Sequence, residues 1–435
     1  MTYQDALAYI HGRPRPASRM DGHISLERFR RLMARLGDPQ KGLKIVHIAG
    51  SSGKGSTATL TEAVLRAAGY RTGLFVSPYV LDFRERIQLD GRMVAEDTLA
   101  AAVLALIPHI TAMELEGVLC TEFDIVTALA LMIFRAEEVD IVCLEVGIGG
   151  LTDRTNVIDS PEVAAICSIS LEHTDILGST LAEIAAQKCG IIKPNCRVAA
   201  YGALPTEARA VLESTCAQFG IIPRMADRAQ LETVSMDPDG SDFRYCGTPY
   251  RVSLAGEHQV MNALTTLTIV EELREAGWRI PREAVQRGLS NTHFVGRMQT
   301  VGERPRCIID GAHNPEKIES LCKALDSLYP GRRIVAVMGM KADKDYLTCI
   351  PQIARRCAVF IAATPQQMPR ALPASETAKV AAGFCGEVHV RESACEAGRL
   401  AIELAGPDDL VLACGSLYII GEARQGFLSA QLGKK

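Results

Sequence analysis

The 435-residue chain is poor in aromatic residues, which make up only 5% of it and include a single Trp. Proteins that stack the bases of single-stranded nucleic acid need several such rings, so this content argues against that class. The formal net charge is −4, and no long basic run is present. Nucleic acid and anionic membranes are therefore not expected as partners.

Cysteine pairs and long apolar segments are also missing. None of the 14 Cys is spaced as C-x-x-C, and many lie inside apolar runs, as Cys143 and Cys414 do. Scattered Cys in a chain of this length are typical of the reduced, buried thiols of a cytoplasmic protein. The N-terminus has no basic start followed by an apolar segment, and no apolar run reaches about 18 residues, so neither a signal peptide nor a membrane span is expected.

What the sequence does contain is an alternation of short apolar runs and helical segments. Continuous apolar runs predict strands at 44–50, 71–77, 139–147 and 163–170, and such runs are typical of a parallel sheet covered on both faces. Helices are predicted at 121–138, apolar nearly all round, and at 258–277, where the pattern indicates a long amphipathic helix. The alternation predicts an α/β protein whose N-terminal domain is a doubly wound, P-loop ATPase-like sheet.

A second set of alternating units begins near Arg306. It predicts a smaller, Rossmann-like α/β domain, and we place the boundary near Gly296, giving domains at 1–295 and 296–435. Two α/β domains that meet at a short connection create a cleft suited to a ligand.

The segment "HIAGSSGKGSTATL" (47–60) joins a predicted strand to a predicted helix. It departs from the common P-loop pattern, because Gly55 follows Lys54 and the expected first Gly is Ile48. In this context the backbone N–H groups and the helix N-terminus attract phosphate, whereas the alternative is a plain Gly/Ser turn. The predicted nucleotide-binding residues here are Gly50, Ser51, Ser52, Gly53, Lys54, Gly55 and Ser56.

Three polar residues, Ser77, Glu145 and His173, follow or end predicted strands. Ligands of open parallel sheets bind at the carboxyl ends of the strands, and hard oxygen donors suit Mg²⁺. Taken alone, Glu145 fits a metal ligand and an ordinary ion pair equally well, and His173 fits a loop histidine better than a Mg²⁺ ligand.

Eight motifs in fixed order are more specific than any single one. They are "HIAGSSGKGST", "LFVSPYVLDFRERIQLDG", "LEVGIGGLTDRTNVI", "SLEHTDILGSTLAEIAAQKCGIIKP", "GEHQVMNAL", "GRMQ", "IIDGAHNPE" and "GMKADKD". Together they resemble the folylpolyglutamate synthase/dihydrofolate synthase family, which belongs to the Mur-type ATP-dependent amide ligases. The resemblance spans residues 20 to 425, nearly the whole chain.

The resemblance implies roles on the phosphate and metal side of a site. Lys54 would contact the ATP phosphates, and two Mg²⁺ ions would be bound. The residues on metal-site positions are Ser56, Ser77, Glu145, His173 and Lys188. Lys188 matches a lysine that is carbamylated in many members, whereas its plain interpretation is a surface lysine favoured at a helix C-terminus.

Further positions concern the nucleotide, the amino acid and the acceptor. Asn262 and Arg297 match nucleotide-contacting positions. Asp310 and His313 match catalytic positions of the C-terminal domain that close over ATP and the amino acid, although alone they fit a helix N-cap and a loop residue. Thr121, Phe123 and Asp153 match positions near the pterin pocket of some members.

The implied activity is ATP-dependent addition of L-glutamate to a folate or to dihydropteroate, through an acyl phosphate, by a monomeric enzyme. Departures at Ser51-Ser52, Tyr79, Leu151, Arg154 and Phe294-Val295 leave the choice of dihydropteroate, tetrahydrofolates or a different carboxylate acceptor open. A P-loop kinase or NTPase leaves the motifs around Lys188 and Asp310 unexplained. A catalytically silent nucleotide-binding protein would be favoured only if Lys54, Glu145 or His173 were missing.

Overall fold

The structure is a computed structural model that describes residues 1–14, 22–366 and 370–432. The strands are β1 (Ile45–Ala49), β2 (Thr72–Phe75), β3 (Ile87–Leu89), β4 (Arg92–Met93), β5 (Ile141–Glu145), β6 (Val163–Ile166), β7 (Arg197–Ala200), β8 (Arg224–Met225), β9 (Leu231–Asp237), β10 (Gly240–Tyr245), β11 (Thr248–Val252), β12 (Gln299–Glu303), β13 (Arg306–Ile309), β14 (Ile334–Met338), β15 (Val359–Ala363), β16 (Val388–Arg391) and β17 (Leu410–Cys414).

Helices fill most of the segments between these strands. They are α1 (Tyr3–His11), α2 (Gly22–Arg35), α3 (Lys54–Ala67), α4 (Glu96–Leu115), α5 (Glu122–Ala136), α6 (Thr174–Leu177), α7 (Leu181–Cys189), α8 (Thr206–Gln218), α9 (Glu257–Glu275), α10 (Arg282–Ser290), α11 (Pro315–Leu328), α12 (Tyr346–Ala354), α13 (Ala374–Ala381), α14 (Ala394–Leu404) and α15 (Leu417–Leu432). Short 3-10 helices span Phe83–Arg86, Arg154–Val157 and Arg228–Gln230.

The first sheet has eight strands in the order β4-β3-β2-β5-β1-β6-β7-β8. The strands from β2 to β8 in this order pair in parallel, and β3 and β4 form an antiparallel edge. Helices α4 and α5 pack on one face, and α3 and α9 pack on the other. Because both faces are covered, β1 and β5 are buried along their whole length, and the predicted doubly wound α/β sheet is confirmed.

The predicted helix at 258–277 is α9, but the prediction that it is amphipathic is wrong. Nearly all of its residues from Gln259 to Leu273 are buried. The cause is a three-stranded antiparallel sheet, β9 to β11, that covers the side of α9 turned away from the main sheet. The polar residues of α9 that would otherwise face solvent are therefore buried against this second sheet.

The C-terminal sheet has six strands in the order β12-β13-β17-β14-β15-β16. All its pairs are parallel except the antiparallel edge pair of β12 and β13. One face packs against α11, α12 and α13, and the other packs against α14 and α15. The strands β13 to β17 and the helices between them are the alternating units predicted after Arg306, and the Rossmann-like layering is confirmed.

The sequence predicts buried, reduced cysteines and no membrane span. All 14 Cys are free, and most of them are buried, as predicted. Among the described residues, α4 is the one helix long and apolar enough by length and composition to cross a membrane, and 33% of its most apolar window is buried. Core helices pass the same test, and Leu99, Val103 and Met113 of α4 lie in the core beside α5.

Candidate active site

The glycine loop runs from the end of β1 into α3, which begins at Lys54. Gly53 precedes the helix with φ 84°, a left-handed conformation that favours glycine. A side chain at Gly53 would also overlap Oδ1 of Asn262. The loop is tied to the segment after β6, because Ser51 N donates to Ser168 O at 2.7 Å and Ser51 Oγ donates to Ser170 O at 3.1 Å.

Two lysines meet at this loop. Lys54 Nζ and Lys188 Nζ each donate to the carbonyl oxygen of Gly50 at 2.9 Å. Lys188 lies in α7, is fully buried, and also pairs with Glu172 Oε1 at 2.8 Å. Burial lowers the pKa of Lys188 to about 8, against the opposing effect of Glu172. The interpretation of Lys188 as a surface lysine is therefore wrong.

The predicted metal-site residues converge on the same edge of the sheet. Glu145 Oε2 accepts from the backbone N–H of Ser77 at 2.9 Å and lies against Gly55. Ser56 is buried in the first turn of α3. His173 precedes α6 in a left-handed conformation, and burial lowers its pKa to about 4, so that the ring is neutral at pH 7. A neutral imidazole and a carboxylate are both able to ligate a metal.

The donor set suits Mg²⁺ that is shared with a substrate rather than held by the protein alone. Among the residues that the structure describes, no three His, Cys, Asp or Glu side chains form a group able to hold a metal ion. The convergent donors are one carboxylate, hydroxyls and one histidine. Mg²⁺ is usually bound by one or two carboxylates together with water and substrate phosphates, so these residues fit it.

Arg297, at the start of the C-terminal half, contacts the ring of Phe294, which in turn contacts the loop. The ring of Phe294 covers Gly55, and the guanidinium carbon of Arg297 lies 5.1 Å from its centroid. Asn262, from α9, packs against Gly53 and donates to Gln259 Oε1 at 3.0 Å. Asn262 therefore contacts the loop directly, and Arg297 reaches it through Phe294.

Asp310 and His313 follow β13. Asp310 is buried and accepts from Met298 N and from Ala312 N, both at 2.8 Å, so it joins the connection between the two halves to its own strand. It is not the N-cap of α11, which is Asn314. The Nδ1 atom of His313 lies 2.7 Å from Gly311 O, and since a carbonyl only accepts, Nδ1 carries the proton. Burial lowers the pKa of His313 well below its usual value.

The acceptor-side residues Thr121, Phe123 and Asp153 lie around the start of α5. A side chain at Gly147 would meet both the ring of Phe123 and the carboxylate of Asp153, so these two lie side by side just beyond Glu145. Thr121 caps α5 by accepting from Asp124 N, and Asp153 accepts from Ile148 N at 3.1 Å. In the described structure Thr121 and Asp153 each have a local hydrogen-bonding role.

Three charged residues of the site were not selected from the sequence. Glu172 pairs with Lys188, and although burial alone would raise its pKa, Lys54 and Lys188 lower it to about 2. Glu316 reaches from α11 to accept from Ser170 Oγ at 2.6 Å and from Ser52 Oγ at 3.3 Å. Lys317 follows it and interacts with Lys54 and Arg297. Glu172 stands beside His173 in one quoted motif and Glu316 ends another, "IIDGAHNPE", whereas Lys317 lies just outside it.

A phosphate loop that faces the first helix of a second α/β unit, with a buried lysine and a carboxylate between them, defines a two-domain ATP-dependent ligase. Sequence profiles agree: that of the Mur ligase middle domain matches residues 48–270, and that of the Mur ligase, glutamate ligase domain, matches residues 296–417.

Relatives of known name match along nearly the whole chain. The dihydrofolate synthase/folylpolyglutamate synthase of Bacillus subtilis (strain 168) is 33% identical over 431 residues, covering 97% of this chain and 98% of that protein. The folylpolyglutamate synthase of Lacticaseibacillus casei is 33% identical over 444 residues, covering 99% and 100%. The structure of Mycobacterium tuberculosis folylpolyglutamate synthase complexed with ADP has a TM-score of 0.88 at 27% identity and covers 98% of each chain. The chain belongs to the folylpolyglutamate synthase/dihydrofolate synthase family of Mur ligases, as its motifs indicated.

Proposed function

We propose that this chain is an ATP-dependent ligase that adds L-glutamate to a folate, to dihydropteroate, or to both. The observation that carries the proposal is the convergence, at one sheet edge, of the loop lysine Lys54, the buried Lys188 and Glu145 with residues of α11 from the C-terminal half. The names of its relatives support the choice of substrates.

The reaction needs two steps because a free carboxylate does not react with an amine at neutral pH. An oxygen of the acceptor carboxylate first forms a bond to the γ-phosphorus, and ADP leaves with the electrons of the broken P–O bond. The amine of glutamate then attacks the acyl carbon, loses a proton, and expels phosphate. Both steps gather negative charge on phosphoryl oxygens, which Lys54 and the amides of the loop are placed to stabilise. Holding the three reactants together supplies much of the remaining rate.

Two Mg²⁺ ions complete the proposed site, and bound there they would neutralise phosphate charge. Ser56, Ser77, Glu145 and His173 are the side chains we assign to them, together with a modified Lys188. Glu145 is the strongest of these candidates, since its carboxylate is buried beside Gly55 at the loop.

We further propose that Lys188 carries a carbamate in the active enzyme. Its amine is buried and its pKa is lowered to about 8, so that a useful fraction is neutral and able to add CO₂. A carbamate is negative, so it would repel Glu172 and replace the present ion pair with a metal-binding arm. Removing CO₂ should lower turnover, added bicarbonate should restore it, and Lys188→Arg should be nearly inactive. Full activity of Lys188→Arg would refute the carbamate.

A different carboxylate acceptor is the second candidate, and one cluster favours it. Arg154 Nε donates to Asp124 Oδ1 at 2.8 Å, and Arg28 Nη2 donates to Asp124 Oδ2 at 2.9 Å. Two guanidinium groups thus share one carboxylate beside Thr121 and Phe123, and Nη2 of Arg154 is buried without a hydrogen-bond partner. This unpartnered donor suits an acceptor that brings a carboxylate or carbonyl oxygen to Arg154.

One assay tests the function: phosphate release from ATP with a panel of pteroates and folates, with and without L-glutamate. We expect release only when an acceptor and glutamate are both present. Release without glutamate would favour a kinase or NTPase, and the absence of release with every pteroate and folate would favour the different acceptor. Aspartate outperforming glutamate by more than about tenfold would refute the amino acid.

Three further expectations belong to the proposal. We place the domain boundary at 295/296, where Asp310 ties the connecting segment to β13. We also propose that the enzyme is a monomer and works in the cytoplasm, which sedimentation and cell fractionation would test.

A further inference from the structure

His47 is a fully buried side chain that the proposed reaction does not use. It lies at the centre of β1, a few residues before the glycine loop begins at Gly50. Its Nε2 atom lies 2.8 Å from Oγ1 of Thr155, in the 3-10 helix that follows the acceptor-side Asp153. A buried polar ring is unfavourable unless it is hydrogen-bonded, so the contact with Thr155 determines how this ring is oriented.

The hydrogen bonds of the polar triad His47–Thr155–Asp153 run in one direction. Asp153 Oδ1 accepts from Thr155 Oγ1 at 2.6 Å and from Thr155 N at 3.0 Å, while Oδ2 accepts from Ile148 N. Donors at both oxygens favour the ionised carboxylate, so the hydroxyl proton of Thr155 points to Asp153. A lone pair of the hydroxyl then faces His47, whose Nε2 carries the ring proton. The Nδ1 atom of His47 is buried without a partner.

Asp153 in turn holds the loop that leaves β5. Its Oδ2 receives the N–H of Ile148 at 3.1 Å, and the carboxylate lies beside the ring of Phe123 at Gly147. Ile148 and Leu151, both in this loop, are large apolar side chains that are 43% and 39% exposed. The loop therefore presents apolar surface next to Phe123, and the position of that surface depends on Asp153.

We propose that His47 is a positioning residue that acts through Thr155 to orient the carboxylate of Asp153, and thereby places the loop after β5 for the acceptor. This inference rests on the proposed ligase function, in which Phe123 and Asp153 lie on the acceptor side. Because β1 also leads into the phosphate loop, the triad ties the acceptor side to the strand that presents the nucleotide. None of its three groups exchanges a proton with a substrate.

Thr155→Val tests the centre of the triad, because it removes the hydroxyl and keeps a branched side chain. The KM for the acceptor in phosphate release should rise about tenfold, with kcat within about threefold and ADP affinity within about twofold, since only the acceptor loop loses its support. Thr155→Ser keeps the hydroxyl and should keep the acceptor KM within about threefold of wild type. An unchanged acceptor KM in folded Thr155→Val would overturn the proposal.

Thr268→Val is the matched control. Thr268 is buried, and its Oγ1 donates to Leu264 O at 2.9 Å within α9. Loss of this hydroxyl should lower stability and leave the acceptor KM unchanged. An equal rise in the acceptor KM in Thr268→Val and Thr155→Val would show that lost stability alone is the cause, and would contradict the positioning role.

The other end of the triad gives a second comparison, which also decides if Thr155→Val does not fold. His47→Leu removes the ring donor, whereas His47→Gln keeps an N–H donor on a side chain of similar length. The acceptor KM should rise in His47→Leu and not in His47→Gln. Combining His47→Leu with Thr155→Val should raise it no further than either change alone, because both break the same hydrogen bonds. Independent, multiplying effects would overturn the proposal.

Nitrogen-15 NMR of the histidine rings, without any substrate, tests the position of the proton. The signal of His47, assigned by its loss in His47→Gln, should show the proton on Nε2, and that proton should exchange with water faster in Thr155→Val. A proton on Nδ1 would overturn the triad. A wild type that is inactive with every pteroate and folate would instead remove the proposed function and leave the hydrogen bonds of the triad standing.

Discussion

At the scale of single residues, the carbonyl of Gly50 holds two cations. Lys54 and Lys188 both donate to it, and Lys188 is bonded to Glu172 as well. These protein acceptors satisfy the ammonium groups in the absence of phosphate. A nucleotide has only to replace one hydrogen bond of Lys54, whereas Lys188 would also have to leave a buried ion pair. The two lysines should therefore respond differently to substitution.

Lys54→Ala should abolish turnover and leave the fold intact. Lys54 is half-buried and its described hydrogen bond is local, so we expect a change in melting temperature below about 3 °C. Phosphate release should fall at least about 100-fold, because the charge that we propose to contact the phosphates is lost. A folded Lys54→Ala protein with unchanged ATP turnover would contradict the nucleotide site.

His47 gives a prediction of pH-dependent stability. It lies in the centre of β1 with Nε2 2.8 Å from Thr155 Oγ1, and burial lowers its pKa to about 3. Between that value and the ordinary pKa of about 6.5, the unfolded chain binds the proton and the folded chain does not, so stability falls as the pH is lowered. From pH 7 to pH 5 this residue should remove about 2 kcal/mol from the free energy of unfolding.

Urea unfolding at both pH values, followed by the fluorescence of the single Trp, Trp278, measures this effect. In His47→Gln the loss between pH 7 and pH 5 should be smaller by about 2 kcal/mol. Equal losses in wild type and variant would show that another group sets the acid sensitivity.

Residues in the glycine loop or at the end of a predicted strand were the ones that the sequence could predict. Lys54 and Glu145 stand in recognisable strand-to-loop contexts, and the structure brings them to one edge of the sheet. Glu316 ends a quoted motif and Lys317 follows it, but neither is singled out by the sequence because an ordinary helix begins with such residues. The place of Glu316 in the site arises only from its contacts with Ser52 and Ser170, which lie more than one hundred residues earlier in the chain.

At the scale of elements, the start of α3 depends on the conformation of one glycine. Gly53 has φ 84°, and a Cβ there would meet Asn262. Gly69, just after the end of α3, has φ 97° with open space around it. A side chain would strain the backbone at both positions, but only at Gly53 would it also overlap another residue, Asn262.

Gly53→Ala and Gly69→Ala should therefore both lose about 1 kcal/mol of stability through the left-handed conformation. Gly53→Ala should lose more, because Asn262 has to move, and its affinity for ADP should fall at least about tenfold. The measurements are urea unfolding and ADP titration. If Gly69→Ala weakened ADP as much as Gly53→Ala, the effect would not come from the contact with Asn262.

Strands were predicted well because burial on both faces leaves a continuous apolar run in the sequence, as in β5 and β17. Helix environment was predicted less well. The polar face of α9 is buried only because β9 to β11 fold back over it, and such a contact between distant segments leaves no periodic pattern. The small sheet itself was missed for the same reason.

At the scale of the whole molecule, catalysis requires two α/β units in a fixed relation. Glu316 connects them across the cleft, and Asp310 connects them through the chain by holding Met298 N at 2.8 Å. Water must be kept from an acyl phosphate, so the relation between the units matters as much as the residues on each. Substitutions of Asp310 can separate its role in holding the two units together from its proposed catalytic role.

Asp310→Ala leaves two backbone N–H groups, of Met298 and Ala312, without their acceptor, and each such loss costs about 1–3 kcal/mol when buried. We expect turnover to fall at least about 100-fold, with ADP affinity changed by less than about threefold because the loop belongs to the other unit. Asp310→Asn keeps one carbonyl oxygen and presents an amide to the second N–H, so its stability should lie between those of Asp310→Ala and wild type.

Single-turnover phosphate release, ADP titration and thermal melting on both variants distinguish the two roles of Asp310. If turnover follows stability across the two variants, Asp310 acts by holding the connection. If Asp310→Asn is as inactive as Asp310→Ala while more stable, its charge takes part in the reaction. Near-native turnover of Asp310→Ala would contradict both roles.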